Sequence, residues 1–134
     1  MAGVTRAEDR PISPFVSVWR WHITMLSSIL HRATGVALYA AGIGMALWLM
    51  AVAAGAEVYA PVGFLLGTIA GQAVLYVFVA ALAYHLAAGL RHLIWDTGAG
   101  LKPSDADATA WFAILFAVAA PIGLWALLTL GSVR

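Results

Sequence analysis

The chain has 134 residues, of which 63% are hydrophobic and only 10% charged, and its net charge is +1. That length bounds it to one domain, and that balance places it in a membrane and gives no pointer to nucleic acid. The absence of cysteine excludes disulfides, thiolate zinc sites and any iron–sulfur cluster held by this chain itself.

Residues 1–20 read as a polar to interfacial N-terminal segment. Its first ten residues, being polar, are expected to become ordered only where a partner holds them. Pro11-Ile12-Ser13-Pro14 should be extended, since each proline restricts itself and its predecessor. Phe15, Val16, Trp19 and Trp21 suit the headgroup level that tryptophan favours. No apolar stretch of signal-peptide type occurs there, and Glu8 and Asp9 argue against a mitochondrial transit sequence, so a bacterial inner membrane is the expected location.

Three uncharged runs follow, Ala33–Ala56, Val58–Leu90 and Ala108–Val133. Each exceeds the roughly 20 residues an α-helix needs to cross a bilayer core. Lipid offers no partner for backbone groups, so such runs must be helical. The predicted fold class is therefore all-α and integral to the membrane, with helices over about 21–54, 63–95 and 108–131 within one anchor domain, 1–134. Glu57–Pro61 should form a short outer loop. Thr97–Thr109, rich in Gly, Pro, Ser and Asp, should form the inner one, with Asp107 or Thr109 capping the last helix. Pro121 should kink that helix. Gly35 with Gly42, and the GxxxG of Gly67 and Gly71, either allow close helix contact or are chance matches in a chain rich in alanine and glycine.

Basic residues set the orientation. Arg6, Arg10, Arg20 and Arg32 precede the first span, and Arg91 and Lys102 lie in or beside the loop after the second, whereas the opposite side has only Arg134. The N-terminus is thus expected in the cytoplasm and the C-terminus in the periplasm.

The ionisable residues fall in two clusters at the ends of two spans. In the first, Trp21, Met25, Ser28, Ile29 and Arg32 are spaced i, i+4, i+7, i+8, i+11 along one helical face. They offer an aromatic wall, a thioether, a hydroxyl, an aliphatic wall and a fixed cation. A quinone head needs such a set: flat apolar contacts, a donor for a carbonyl, and positive charge against the anion that develops on reduction. The alternative is that Arg32 snorkels to the headgroups and Ser28 bonds back to its own helix.

In the second cluster, His85, Gly89, His92 and Asp96 share one face. His85 lies seven residues, roughly 10 Å, deeper than His92. A neutral imidazole at that depth is a hydrogen-bonded interface residue, a proton relay or a metal ligand. Gly89 removes bulk where a flat macrocycle would lie, which makes haem ligation one reading and an interhelical hydrogen bond the other. A bis-imidazole haem would need a second histidine at similar depth. His31 and His92 sit near the inner interface, His22 lies beyond it, and the last span has none. The opposite ligand would then come from another polypeptide.

Three segments carry a resemblance: Arg10-Pro11-Ile12-Ser13-Pro14, then Ser28-Ile29-Leu30-His31-Arg32-Ala33-Thr34-Gly35-Val36, and then His85 through Asp96. In order, spacing and three-span layout the chain resembles the larger cytochrome b membrane-anchor subunit of succinate dehydrogenase, respiratory complex II. The resemblance covers nearly the whole chain, and the second and third motifs together are specific.

The resemblance implies an anchor that is not catalytic alone, within an enzyme made of a flavoprotein carrying FAD, an iron–sulfur subunit and two membrane anchors. His85 would be one axial ligand of haem b, shared with the smaller anchor. Ser28 and Arg32 would bind ubiquinone, with Trp21, Met25 and Ile29 lining the pocket. His31, Arg32 and His92 would surround the haem propionates, and Asp96 would stabilise the rim or deliver protons. Two other functions stand beside this one. The first is the anchor of a menaquinol:fumarate reductase, since direction depends on potentials and partners. The second is a non-redox assembly or transport subunit whose intramembrane histidine relays protons or only hydrogen-bonds.

Overall fold

A computed structural model describes residues 19–131. Arg6, Arg10, the Pro11–Pro14 stretch, Phe15, Val16 and Arg134 lie outside the described residues. The described chain is helical, with no strand: α1 (Ile23–Ala54), α2 (Ala56–Gly67), α3 (Ile69–Asp96) and α4 (Pro103–Gly131). Three of these are long and apolar enough to cross a membrane, namely α1, α3 and α4, with 32, 28 and 29 residues. At 1.5 Å per residue they reach about 42–48 Å, enough to pass the hydrocarbon core and enter the headgroups on either side.

His22 starts α1. Its backbone is extended (φ −128°, ψ 148°), and its Nδ1 accepts from the Thr24 backbone N–H at 3.4 Å. Trp21 therefore precedes the helix rather than forming its first turn, and it packs edge-on against Trp19 at 4.9 Å between ring centroids. At α4, Pro103 takes the first helical position, where its missing N–H costs nothing, and Asp105 lies in the first turn. Asp107 and Thr109 are already inside the helix, so neither caps it. Pro121 lies within α4 and is buried.

The second uncharged run is not one helix from residue 63. The expected outer loop is helical, as α2, and the run breaks at Thr68, which is extended (φ −70°, ψ 158°). A 33-residue run is too long for one straight span, and threonine supplies the chemistry of a break. Its hydroxyl donates to Leu65 O at 2.7 Å, and Oγ1 accepts from Gly71 N–H at 3.1 Å, capping α3.

The break also accounts for Gly71. A Cβ there would overlap the Leu65 carbonyl oxygen and lie 2.8 Å from Leu66 Cα. Gly67, by contrast, has open space around it. The GxxxG spacing thus serves a sharp turn of one chain rather than a contact between spans. Gly71→Ala is expected to destabilise the protein by about 1–3 kcal/mol, the usual cost of forcing atoms against unyielding backbone. Thermal unfolding in detergent measures it, and an unchanged midpoint would contradict this account of the break.

α1, α3 and α4 contact one another, while α2 packs on α1 and α3. Apart from Tyr84, the buried hydrophobic residues are alanines: 51, 81, 83, 87, 88, 110 and 113. Large side chains such as Phe64, Ile69, Leu127 and Leu128 point outward. This is the membrane pattern. Lipid tails are as apolar as leucine, so the helices associate by close backbone approach across small residues. Tyr84, Ala87, Ala88 and Ala113 form the tightest part, with Leu30, Ile114 and Ala117 against it. Antiparallel packing brings the start of α1, the end of α3 and the start of α4 to one end of the bundle, where the ionisable residues meet.

Candidate functional site

At this end a buried polar knot ties three helices together. Ser27, 1% exposed, faces inward from α1. The Tyr84 hydroxyl, on α3, lies 2.8 Å from Ser27 O and 2.9 Å from Ser27 Oγ. Arg91, 5% exposed, donates from one terminal nitrogen to Ser27 Oγ at 2.8 Å and from the other to Ala106 O of α4 at 3.1 Å. Its guanidinium also lies 4.0 Å over the Trp95 ring, and Trp95 Nε1 donates to Gly100 O at 3.0 Å. At the edge of the knot, His22 Nε2 sits 3.6 Å from Asp107 Oδ2.

Sequence reasoning counted Arg91 as a topology charge and as a member of the second ionisable cluster but gave it no role at the site, and it passed over Ser27 for its neighbour. The spacing held a signal for both. Tyr84, Ala88, Arg91 and Trp95 recur at i, i+4, i+7 and i+11, so an arginine lies on the same stripe as a core alanine. A cation there is taken inward by the helix and must find acceptors.

Next to the knot, three histidines stack. The rings of His31 and His85 are 4.2 Å apart and 18° from parallel, and those of His31 and His92 are 5.0 Å apart. Trp95 closes the series edge-on to His92 at 5.2 Å. Sequence depth had set His31 near the interface and apart from His85; the helix crossing brings them into ring contact. His85 Nδ1 lies 3.2 Å from His31 O and 3.2 Å from Thr34 Oγ1. A carbonyl oxygen only accepts, so Nδ1 carries the proton and donates. His92 follows the same logic, with Nδ1 donating to Ala88 O at 2.7 Å. In the neutral form of either ring Nε2 then carries the lone pair, and His85 Nε2 has no hydrogen-bond partner among the described residues. That is the tautomer a metal-ligating imidazole needs. His31 Nε2 is buried and likewise has no partner.

The first cluster faces outward. Met25 and Ser28 are half-buried and Arg32 is exposed, while Ile29 is 47% and Trp21 64% exposed. Ser28 and Arg32 form no hydrogen bond or ion pair within the described chain, in contrast to Ser27, which is wholly engaged. Asp96, the last residue of α3, is also exposed and unengaged among the described residues. Two shallow clefts of about 210 and 270 Å³ open at this end, one beside Arg91, Trp95 and Phe112, the other beside Thr24 and Leu101. Ser28, Arg32 and His85 line neither of these two.

Three apolar helices, a core of alanines and ionisable side chains gathered at one end define a multi-pass membrane subunit with a polar site at the bundle's rim. The family model described as "Succinate dehydrogenase/Fumarate reductase transmembrane subunit" matches residues 6–124. The chain is 38% identical over 106 residues to the succinate dehydrogenase cytochrome b556 subunit of Paracoccus denitrificans, covering 79% of this chain and 81% of that one. It is 34% identical over 116 residues to the cytochrome b556 subunit of Rickettsia felis, with 87% and 90% covered. To the mitochondrial cytochrome b560 subunit of Bos taurus it is 33% identical over 124 residues, with 89% and 72% covered. The chain belongs to the family of cytochrome b membrane-anchor subunits of succinate dehydrogenase, complex II.

Proposed function

We propose that the chain anchors a succinate:ubiquinone oxidoreductase to a bacterial inner membrane, with its N-terminus cytoplasmic, and supplies half of a haem b cage and part of the quinone-reduction site. The smaller anchor would bring the second axial ligand. The iron–sulfur and flavoprotein subunits would bring electrons from succinate. Relatives named for succinate dehydrogenase favour this direction over fumarate reduction.

The observation that carries the reading is the contrast between adjacent serines. Ser27 is buried and fully engaged, whereas Ser28 and Arg32 stand at the mouth of an apolar span with no partner among the described residues. A permanent charge and a hydroxyl left so in a membrane are costly unless another molecule needs them. Ser28 would donate to one quinone carbonyl. Arg32 would offset the negative charge that develops on the ring oxygen. Met25 and Ile29 would lie against the ring, with Trp21 beyond the helix start as a movable wall.

The donor set at His85 suits a haem. Its Nε2 is unshared, its Nδ1 proton is held, and one face of its ring is covered by His31. His31 would not share a metal with His85, because the two rings stack face to face at 4.2 Å and 18° from parallel and do not turn their nitrogens toward one point between them. His31, His92 and Arg32 are then available to the propionates. When bound, the haem would supply a one-electron store beside the quinone site.

The test is quinone reduction by the assembled complex, purified with its partner chains. Ser28→Ala is expected to lower turnover on the order of tenfold, and Arg32→Ala about a hundredfold, the lower end for losing a preorganised donor to a developing anion. Arg32→Lys should also be impaired, since an ammonium lacks the planar fork. Succinate oxidation by a soluble artificial acceptor should persist. Normal quinone turnover in both Ser28 and Arg32 variants of a haem-loaded complex would overturn the site.

A further inference from the structure

Thr34 and Gly35 follow Arg32 by two and three residues, yet neither belongs to the outward strip. Both face His85, from the opposite helix. Thr34 Oγ1 lies 2.8 Å from Leu30 O and 3.0 Å from His31 O, one turn back along α1. The hydroxyl has a single proton, and these two carbonyls take it. Its lone pairs remain, and one of them lies 3.2 Å from His85 Nδ1. Thr34 is thus an acceptor toward the imidazole, oriented by its own helix. His31 O is the second acceptor, at 3.2 Å. A Cβ added at Gly35 would lie 3.2 Å from His85 Cε1 and 3.8 Å from Nδ1. The absent side chain at Gly35 is what lets the imidazole come this close to α1.

We propose that the Thr34-Gly35 pair is the mounting of His85: the Thr34 hydroxyl accepts the Nδ1 proton and fixes the tautomer, Gly35 admits the ring, and together they aim Nε2 and set its basicity. This rests on the reading of His85 as a haem ligand. Both are positioning residues, acting through the imidazole. The physical basis is general, since acceptors on the far nitrogen of a ligating histidine orient the ring and raise its donor strength. Removing one of two acceptors makes the imidazole less electron-rich, which favours reduced over oxidised iron. The haem midpoint potential should therefore rise.

The experiment compares Thr34→Val, Thr34→Ser, Gly35→Ala and His85→Ala in the whole complex, reading haem midpoint potential, the low-spin electron paramagnetic resonance signal and haem loss to an excess of apomyoglobin. Valine keeps the shape and removes the hydroxyl; serine keeps the hydroxyl and removes the methyl. Thr34→Val is expected to raise the potential and to weaken haem retention about tenfold, the lower end of effects for such outer partners. Thr34→Ser should behave as the native complex. Gly35→Ala leaves the hydroxyl intact and should change the anisotropy of the signal by turning the ring, which keeps the proposal testable should the valine variant not assemble. The reverse pattern, serine perturbed and valine native, would assign Thr34 a packing role and overturn the proposal, as would equal perturbation of both. Native potential and retention in Thr34→Val alongside haem loss in His85→Ala would overturn the mounting while leaving the ligand in place. A native spectrum in His85→Ala would remove the parent reading and this one with it.

Discussion

Replacing His85 with alanine is expected to abolish the low-spin bis-imidazole spectrum of the complex and most of its haem content. The other imidazoles of the described chain cannot substitute by a small movement. His31 presents its face, not its nitrogen edge, to the place His85 occupies, at 4.2 Å and 18° from parallel. His92 is one ring further away, with its Nδ1 proton committed to Ala88 O at 2.7 Å. His22 is bound into the α1 cap beside Asp107. If His85 is the ligand proposed above, the variant would lose one of two protein ligands with no other imidazole of the described chain placed to replace it, so the change should be all but complete rather than graded. His92→Ala should be mild by comparison, shifting the potential while retaining the haem. An unaltered spectrum in the His85 variant would refute the assignment outright.

Much of the architecture was legible in composition. Charge-free runs long enough to span a bilayer have one solution in lipid, so the three long apolar helices followed directly from the sequence. What was not legible lay where two segments meet. The break at Thr68 depends on a hydroxyl reaching Leu65 O and on backbone passing where a Gly71 side chain would sit, and neither is a property of hydropathy. The same holds for α2, since an apolar stretch with a proline reads as a loop or a helix depending on what it packs against. At the site, periodicity grouped Met25, Ser28, Ile29 and Arg32 on one helical face, because spacing along one helix is a local matter, and the structure leaves these four half-buried or exposed. It misjudged Trp21, which falls before the cap at His22, and it separated His31 from His85 by depth. Ring contact between those two depends on where α1 crosses α3, and no single-helix pattern contains that angle. Ser27 was overshadowed by Ser28 because the choice between adjacent serines is a choice of helix rotation, fixed only once Tyr84 and Arg91 are known to lie inside.

Arg91→Met is expected to loosen this whole end of the bundle by about 2–4 kcal/mol. Methionine retains roughly the unbranched stem and its apolar contacts, so the loss falls mainly on the guanidinium. Two hydrogen bonds from a charged donor disappear, to Ser27 Oγ and Ala106 O, each worth roughly 1.5–3 kcal/mol, together with the stacking over Trp95. Two effects hold the loss below their sum. A guanidinium buried without a carboxylate partner carries a desolvation cost that methionine does not. Ser27 Oγ also keeps the Tyr84 hydroxyl at 2.9 Å, so it is not orphaned. Ser27→Ala is the complementary change, leaving a terminal nitrogen of a buried cation without its acceptor. Because the two residues share one bond, the double variant should be less destabilised than the sum of the singles, with a coupling on the order of 1–2 kcal/mol. Additive losses in thermal unfolding of the complex in mild detergent would show that the knot is not a unit. A functional consequence follows from position alone. Arg91 ties the first turns of α1 to α4 through Ser27 and Ala106 and reinforces the Tyr84 link to α3, and Ser28, His31 and Arg32 lie on those turns or the next. Quinone turnover should therefore fall in Arg91→Met although Arg91 faces away from the outward strip, and it should recover in part in Arg91→Lys, whose ammonium reaches Ser27 Oγ or Ala106 O but not both.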